Sequence, residues 1–305
     1  MIELWRGCAN AWECDELGHL NVRFYLAKSW EAVADLADRI GMPQAFQPGT
    51  TSTLRPKDIR IRYLAEAHPG APLYISGGVT AIARQSAEIA LLVQHSASGR
   101  MAAAFTLRLM HAVPGEGGAF DWPIRIREAL ERYRIDPPAE GQPRSIDIGA
   151  PAKRIHIQKA DALGLTEIGR GRILPEDCDA FGMMMPEHFQ GKISNSAANF
   201  SEAFPEQTAD HADGGGRVGG VLLEGRICAR RWPRVGQGYV VRSGVQDFNA
   251  NIRRIVHWVF RADGKLMWSM QGVAAIMDLE ARKILKADDE ARKKLTASVK
   301  PGLVI

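Results

Sequence analysis

The feature that most constrains the fold of this chain is an internal repeat. Residues 6–18 read RGCANAWECDELG, and residues 170–182 read RGRILPEDCDAFG. An arginine, a glycine, a cysteine, an aspartate and a second glycine recur in the same order and at the same spacing, so that Arg6 corresponds to Arg170 and Gly18 to Gly182. Five identities in register without a gap indicate one duplicated unit rather than coincidence. The 305 residues therefore predict two copies of the same fold.

A long helix is predicted after each copy of the motif. Mostly apolar residues recur every three or four positions there, as they do along one face of a helix. In the first half these are Leu26, Trp30, Val33, Ala37 and Ile40, and in the second half Phe189, Ile193, Ser196, Phe200 and Ala203. Asn21 is a typical N-cap for the first helix, and Gly41 is typical of a helix end.

Strand-like segments follow each helix. Alternating or continuous apolar runs, separated by turns such as Pro-Gly and Asp-Gly, predict strands. They lie at 59–64, 73–76, 86–94 and 101–110 in the first half, and at 221–229, 239–245, 251–260 and 266–277 in the second. Each half is therefore predicted to be an α+β unit, an antiparallel sheet with a single helix against one face.

The segment between the halves, residues 113–151, is rich in glycine and proline and contains one predicted short helix at 123–133. We expect an N-terminal domain at 1–118, a linker with a short helix at 119–150, and a C-terminal domain at 151–305. The tail at 278–297 is charged and helix-prone. It predicts a solvated C-terminal helix anchored by Ile284 and Leu285.

Composition and charge exclude several classes of protein. Hydrophobic residues make up 46% and charged residues 24%, which excludes disorder and a coiled coil, and the net charge of +4 is too small to indicate nucleic-acid binding. The uncharged stretch 70–83 is shorter than the ~18 apolar residues of a membrane-spanning helix, and the first residues show no signal-peptide pattern. The four cysteines show no C-x-x-C pair and no metal-ligand spacing. We expect a cytoplasmic protein with reduced thiols, no metal, no nucleic-acid partner and no membrane insertion.

The residues just before the first helix combine groups that could carry chemistry. Asp15, Gly18, His19 and Asn21 lie where a strand end, a glycine turn and a helix N-terminus are predicted to meet. The unpaired N–H groups of a first helical turn stabilise an acyl oxygen as it becomes an oxyanion. A carboxylate at this position can act as general base on water or attack a carbonyl itself. The alternative is that Asp15 and Asn21 only cap the turn and the helix.

The pattern Asp-x-x-Gly-His-x-Asn before a long helix resembles the hotdog-fold acyl thioesterases, both the 4-hydroxybenzoyl-CoA type and the plant acyl-carrier-protein type. The second copy resembles the hydroxybenzoyl-CoA branch, whose motif reads Asp-Cys-Asp-x-x-Gly. The resemblance implies two tandem hotdog domains that form a pseudo-dimer. It also implies an enzyme of lipid metabolism that hydrolyses an acyl-CoA or acyl-carrier-protein thioester to a carboxylic acid and a free thiol. Coenzyme A would be part of the substrate, and no separate cofactor is expected.

The resemblance also assigns site residues, position by position. The acid of the family falls on Asp15 in the first half and on Asp179 in the second. The histidine and the asparagine of the plant type fall on His19 and Asn21. The positions implied for substrate binding and for the oxyanion are Gly18, Val22, Gly182, Met183 and Met184.

The second motif departs from the pattern of the family. Its positions for the histidine and the asparagine hold methionines. The oxyanion-binding amide of the hydroxybenzoyl-CoA branch lies seven residues after the acid, which is Val22 in the first half and Pro186 in the second. Because proline has no N–H, we expect Asp15 to be the working acid and Asp179 to be weakened or structural. The methionine run 183–185 suits either an adaptable acyl-chain lining or ordinary core packing.

Other interpretations stay open from the sequence. Both units could bind an acyl-CoA or acyl-carrier ligand without turnover, or the fold could hydrate an enoyl-CoA, although the hydratase motif Gly-Asp-x-Asn-Pro-x-His is absent. A glycine-rich stretch at 214–220 predicts a loop, and the tandem chain could pair further as a homodimer. Six arginines either hold the phosphates of coenzyme A or lie on a solvated sheet face: Arg60, Arg62, Arg226, Arg230, Arg231 and Arg234.

Overall fold

A computed structural model describes residues 1–206 and 218–305 and divides them into two compact units. The first unit comprises residues 1–143, 173–190 and 232–236, and the second comprises 144–172, 191–231 and 237–305. The contacts thus group the second motif and the beginning of its helix with the first unit. The domain boundaries expected from the sequence, at 118 and 151, follow the chain instead and stay a prediction.

The first unit contains one antiparallel sheet and two helices. Its strands are β1 (Ile2–Cys8), β2 (Thr53–Tyr63), β3 (Pro72–Ile82), β4 (Ser86–His95) and β5 (Met101–Ala112). They are ordered β1-β3-β4-β5-β2. The helices are α1 (Val22–Arg39), which lies against β1 and β3, and α2 (Ile124–Arg132), which lies against β3. The predicted short helix before the second half is α2.

The apolar face predicted for α1 is confirmed. The five residues of that face are all at most 6% exposed in the core of the first unit. The helix begins after Asn21, whose side chain accepts a hydrogen bond from the backbone N–H of Arg23. It ends before Gly41, whose φ of +87° is a left-handed conformation that favours glycine. Local periodicity and capping residues were therefore sufficient to place this helix.

The second unit repeats the same sheet. Its strands are β6 (Thr166–Arg172), β7 (Val218–Ala229), β8 (Gly238–Phe248), β9 (Arg253–Arg261) and β10 (Leu266–Asp278), and the short β11 (Lys283–Ile284) pairs with β10. The order β6-β8-β9-β10-β7 matches the order of the first sheet strand for strand. The predicted duplication of an α+β unit is confirmed. The predicted loop at 214–220 lies partly outside the described residues, and its last three residues begin β7.

The helices of the second half differ from the expectation. They are α3 (Ile157–Ala162), α4 (Glu187–Ser194) and α5 (Asp289–Ser298). The prediction of a long helix reaching Ala203 is wrong, because α4 ends at Ser194 and short 3₁₀ turns follow it. Polar side chains there bond elsewhere, since Asn199 Nδ2 donates to the carbonyl of Ile168 at 2.8 Å. Asparagine and serine side chains that compete for backbone partners disfavour a continuous helix.

The C-terminal tail also packs differently from the prediction. The helix α5 buries Ala291 and Leu295 against Ala287, with Phe248 packed beside them. Ile284 and Leu285, the expected anchors, are 41% and 39% exposed. The tail is therefore attached through the small apolar face of α5. Within residues 1–206 and 218–305, no helix combines the length and the apolarity needed to cross a membrane.

Two equivalent buried arginines hold the linker between the repeats. Arg62 Nη1 donates to the carbonyls of Ala139, Glu140 and Gln142 at 3.4, 2.8 and 3.1 Å. Arg226 occupies the equivalent position of the second repeat and makes the same kind of contact to the carbonyls at 147 and 149. A buried guanidinium needs acceptors, and irregular backbone supplies them. These arginines are therefore structural, and neither is available as the predicted holder of coenzyme A phosphates.

We expect Arg62→Met to lower the free energy of unfolding by about 2 kcal/mol, because three linker carbonyls lose their charged donor. Urea denaturation followed by tryptophan fluorescence measures the change. Arg108→Met on β5 is the matched control, since this arginine is 54% exposed and lies 3.8 Å from Glu88. An exposed ion pair contributes under about 1 kcal/mol. Equal losses in the two variants would contradict the structural role of Arg62.

Candidate functional site

The first motif folds into a tight loop that leads into α1. The backbone N–H of Asp15 donates to the carbonyl of His19, and that of Gly18 donates to the carbonyl of Asp15, both at 3.0 Å. The N–H of Asn21 donates to the carbonyl of Glu13 at 2.9 Å. Gly18 has a φ of +76°, which closes the turn at no cost only for a residue without a Cβ. The loop thus places the acid, the histidine and the helix cap together.

The second motif folds into the same loop. The N–H of Asp179 donates to the carbonyl of Met183 at 2.8 Å, and that of Gly182 donates to the carbonyl of Asp179 at 3.0 Å. The N–H of Met185 donates to the carbonyl of Asp177 at 2.8 Å, and Gly182 has a φ of +69°. Every one of these bonds has its counterpart at the equivalent positions of the first motif. The repeat therefore extends to individual hydrogen bonds, and only the side chains differ.

Asp15 has one oxygen that the loop holds and one that it does not. Its Oδ1 accepts a hydrogen bond from the backbone N–H of Leu17 at 3.0 Å and lies 3.5 Å from His19 Nδ1. No donor to its Oδ2 is found among the described residues. Burial raises the pKa of Asp15, and the neighbouring His19 and the N–H of Leu17 offset part of that rise. A partly buried carboxylate with a free oxygen and a raised pKa is a stronger base than an ordinary aspartate.

Behind His19 lies an acid that the sequence analysis missed. His19 Nε2 is buried, has no hydrogen bond and lies 3.6 Å from Glu66 Oε1. Glu66 follows the end of β2, and the N–H of Leu20 donates to the carbonyl of the next residue, Ala67, at 2.7 Å. Asp15, His19 and Glu66 therefore form a line of titratable groups before α1. An acid just past a strand end was the only sequence signal for Glu66, and it is a common arrangement.

The start of α1 combines a cap with a free donor. Asn21 Oδ1 accepts a hydrogen bond from the N–H of Arg23 at 3.0 Å, so this oxygen serves as the helix cap. The N–H of Val22 has no acceptor among the described residues. It is one of the unpaired first-turn donors that give a helix N-terminus its positive partial charge. The assigned roles of Asn21 and Val22 toward a substrate stay predictions.

Both oxygens of the acid in the second motif accept hydrogen bonds from the protein. Asp179 Oδ2 accepts a hydrogen bond from Arg55 Nη1 at 2.5 Å, and its Oδ1 accepts hydrogen bonds from the N–H groups of Phe181 and Met183 at 2.9 and 3.0 Å. Both side chains of this ion pair are buried, at 6% and 11% exposure. Burial lowers the pKa of Arg55, and Asp179 opposes that shift. The guanidinium also stacks over Phe181 and Trp232. Each oxygen of Asp179 therefore already accepts at least one hydrogen bond from the protein.

The remaining positions of the second motif lie in the core of the first unit. Met183 and Met184 are 2% and 0% exposed. Met184 also bonds through its backbone, its N–H to the carbonyl of Pro233 at 2.9 Å and its carbonyl to Trp232 Nε1 at 2.8 Å. Their proposed contact with an acyl chain stays a prediction. Pro186 directly precedes α4, so this position supplies no N–H, as expected from the sequence.

Polar side chains of the second motif and of α4 reach the first turn of α1. Arg23 Nη2 lies 3.5 Å from His188 Nε2, and His188 Nδ1 lies 3.3 Å from Asp177 Oδ1. The hydroxyl of Tyr63, at the end of β2, donates to Gln190 Oε1 at 3.1 Å. The sequence analysis named none of these as site residues, because the partners that meet at α1 lie in different halves of the chain. The one sequence signal for His188 and Gln190 was that polar residues stand beside the apolar Phe189 at the start of α4.

Three further observations bear on ligands. A shallow groove of about 460 Å³ lies in the second unit, with Glu167, Arg170, Asn195 and Tyr239 in its wall, and it includes none of the predicted site residues. In the described parts of the chain, no group of three or more histidine, cysteine, aspartate or glutamate side chains is arranged to bind a metal ion. All four cysteines are free thiols. The loop before α1 is therefore the better candidate for chemistry.

The comparisons with known proteins match the N-terminal part of the chain in sequence and most of the chain in fold. The model of the thioesterase-like superfamily matches residues 9–130, which include the first motif, α1 and Glu66. No curated protein matches the chain in sequence. The recognition of a thioesterase from the motif is thus confirmed by the family match.

Two solved structures share the fold over most of this chain. The 12:0-ACP thioesterase from Umbellularia californica is 10% identical, with a TM-score of 0.67, and the match covers 89% of this chain and 93% of that one. An acyl-ACP thioesterase from Bacteroides thetaiotaomicron is also 10% identical, with a TM-score of 0.63 and coverages of 88% and 96%. The predicted fold class is confirmed. Residues 9–130 of this chain match the thioesterase-like superfamily, and the chain as a whole has the fold of these acyl-ACP thioesterases, with two tandem hotdog domains.

Proposed function

We propose that the chain hydrolyses acyl thioesters at the loop in front of α1 and releases a carboxylic acid and a free thiol. The observation that carries this proposal is the Asp15 carboxylate. The loop holds one of its oxygens, the other has no donor among the described residues, and burial raises its pKa. The superfamily match of residues 9–130 supports the same class of reaction.

Asp15 can act in two ways from this position. As a general base, its Oδ2 takes a proton from a water molecule whose oxygen adds to the carbonyl carbon of the thioester. As a nucleophile, it adds to that carbon itself and forms a mixed anhydride, which water then cleaves. In both routes the C–S bond breaks when the tetrahedral intermediate collapses. The sulfur leaves with a proton that came from water.

The neighbouring groups have supporting roles in this proposal. The Val22 N–H binds the carbonyl oxygen as negative charge develops on it, because the first turn of a helix favours an anion. His19 orients the Asp15 carboxylate and the attacking water, with Glu66 behind its other ring nitrogen. Asn21 caps the helix that carries the Val22 amide. Asp179 is a structural acid here, since its negative charge balances Arg55.

The substrate class follows from the same chemistry. Hydrolysis needs water, a base and hydrogen-bond donors, so the proposal includes no cofactor, and coenzyme A enters only as part of a substrate. The likeness of the fold to acyl-ACP thioesterases supports an acyl group carried on either coenzyme A or a carrier protein. A cytoplasmic location and a homodimer of the tandem chain are further parts of the proposal. Cell fractionation and light scattering test them.

We expect wild-type protein to release free thiol from at least one member of a panel of acyl-CoA and acyl-carrier-protein thioesters. Asp15→Asn should lower kcat on that substrate by about 100-fold to 10,000-fold, the usual contribution of a general base, with little change in stability. A thiol-reactive dye measures the release. The absence of release by the wild type across the panel would overturn the function, and full activity of Asp15→Asn would overturn the assignment.

Asp179→Asn is the matched control for this pair of acids. It should keep most of its activity per folded molecule, but it should lower the free energy of unfolding by about 3 kcal/mol, because it leaves the Arg55 guanidinium buried without a counter-charge. Urea denaturation measures this loss. A large loss of kcat in Asp179→Asn at unchanged stability would show that the second acid also takes part in the reaction.

The pH dependence of kcat/KM reports the ionisation of Asp15 in the free enzyme. Asp15 works only when deprotonated, so activity falls as the pH falls through its pKa. Because burial raises that pKa, the acidic limb should lie above the ordinary aspartate value of about 3.9. His19 lowers the pKa, so His19→Asn should move the limb to still higher pH. His156→Asn, an exposed histidine of the second unit, should not move it, and an unmoved limb in His19→Asn would contradict the assignment of the limb to Asp15.

A further inference from the structure

Four residues at or near the first turn of α1 each have a buried polar atom without a hydrogen-bond partner. These atoms are Gln190 Nε2, Arg23 Nε, Glu187 Oε2 and His19 Nε2. Buried polar groups in folded proteins are almost always hydrogen-bonded, because an unpaired one loses its water and gains nothing in return. Several unpaired atoms at one place therefore indicate a site that a ligand completes. This place is also where the proposed reaction occurs.

Gln190 stands out among these groups because its orientation is fixed. The side chain is 1% exposed, and its Oε1 accepts a hydrogen bond from the hydroxyl of Tyr63 at 3.1 Å. The carboxamide oxygen therefore faces Tyr63, and the NH₂ group is turned away from it. Burial raises the pKa of Tyr63, so its hydroxyl keeps its proton and remains a donor at any working pH. The Gln190 amide is thus held with an unused donor.

Tyr63 also ties Gln190 to the proposed site. Its hydroxyl lies 3.4 Å from the carbonyl oxygen of Val22, the first residue of α1. Its ring packs edge-on against Tyr25 of α1, with the ring centroids 5.5 Å apart. Gln190 is therefore placed beside the same helical turn whose Val22 N–H is free. Tyr63 thus links the unpaired amide of Gln190 to the residue of α1 whose backbone N–H is unpaired.

The repeat shows that the fold does not require a glutamine here. The equivalent position of the first repeat is Leu26, which is fully buried in the core. An apolar residue is thus accepted at this helical position. In the second repeat, the position equivalent to Val22 is Pro186, which has no N–H. The polar amide at position 190 therefore fits its contact with Tyr63 beside α1 rather than a requirement of the fold.

We propose that Gln190 Nε2 donates a hydrogen bond to the carbonyl oxygen of the bound acyl thioester and keeps it as that oxygen becomes an oxyanion. The inference rests on the proposed thioester hydrolysis and adds a second donor to the Val22 N–H. No bond to Gln190 forms or breaks, and its neutral amide loses no proton. A donor aimed at the developing charge accelerates the reaction more than it tightens substrate binding. Tyr63 is a positioning residue, because it acts only by orienting the amide.

The first test replaces the amide by a side chain of similar shape. Gln190→Met should lower kcat of thiol release by about 100-fold, in the range that the loss of one oxyanion donor costs, with KM nearly unchanged. Gln271→Met is the matched control, since Gln271 is also 1% exposed but both ends of its amide are bonded, to Gln246 and to the N–H of Asp147. It should lower stability without this specific loss of kcat.

The second test does not depend on turnover. A ketone analogue, in which a CH₂ group replaces the sulfur of the preferred thioester, keeps the carbonyl, and the corresponding thioether analogue lacks it. Gln190→Met should weaken binding of the ketone about 10-fold and leave binding of the thioether within about 2-fold, because one hydrogen bond contributes about that much. Tyr63→Phe should weaken the ketone by a smaller factor in the same direction. Binding is followed by titration calorimetry of the full chain.

The outcomes separate this inference from the proposed function. If the wild type hydrolyses thioesters but Gln190→Met retains its kcat and binds both analogues as the wild type does, Gln190 is a packing residue and the inference is wrong. If Gln190→Met weakens both analogues equally, the amide only shapes the pocket, and the inference is again wrong. If the wild type hydrolyses no thioester of the panel, the proposed function fails together with this inference, whatever the variants do.

Discussion

The candidate site depends on one constraint. In each motif, the turn that carries the aspartate also bonds one of the two carboxylate oxygens. In both repeats the Oδ1 atom accepts the backbone N–H two residues later, from Leu17 in the first copy and from Phe181 in the second. A short polar side chain that bonds its own turn stabilises that turn. One oxygen of each acid is therefore structural in both copies. The two copies therefore differ in the contacts of the second carboxylate oxygen, Oδ2.

The second oxygen meets opposite surroundings in the two copies. In the first copy, His19 lies near Asp15, and no donor to Asp15 Oδ2 is found among the described residues. This oxygen therefore keeps its lone pairs for a proton. At Asp179 the neighbour is Arg55, a buried cation on β2 whose charge must be balanced. A buried ion pair is costly to break because each charge has lost its water. The same backbone loop thus leaves one carboxylate oxygen without a donor among the described residues in the first repeat, and it holds the acid of the second repeat in an ion pair.

Features set by local spacing could be read from the sequence. The repeat, the buried face of α1, its N-cap at Asn21 and the strands of both sheets depend on neighbours in the chain, and the structure confirms them. The contacts that define the site join residues far apart in the chain. Arg55 meets Asp179, and Tyr63 meets Gln190, from opposite halves of the sequence. Such pairs follow from the packing of strands and helices, which neither periodicity nor capping residues encode.

The arginines show why residue type alone misleads in a chain of this kind. Arg62 and Arg226 were two of the six candidates for holding the phosphates of coenzyme A, yet each bonds the carbonyls of the linker. Of the other four, Arg60 pairs with Glu88, and the rest donate to backbone carbonyls. A cation that has found acceptors within the protein is part of the fold, whatever its sequence pattern. The converse holds at the start of α1, where donors held in fixed positions have found none. In this chain, the partners of a polar group therefore say more about its role than its residue type does.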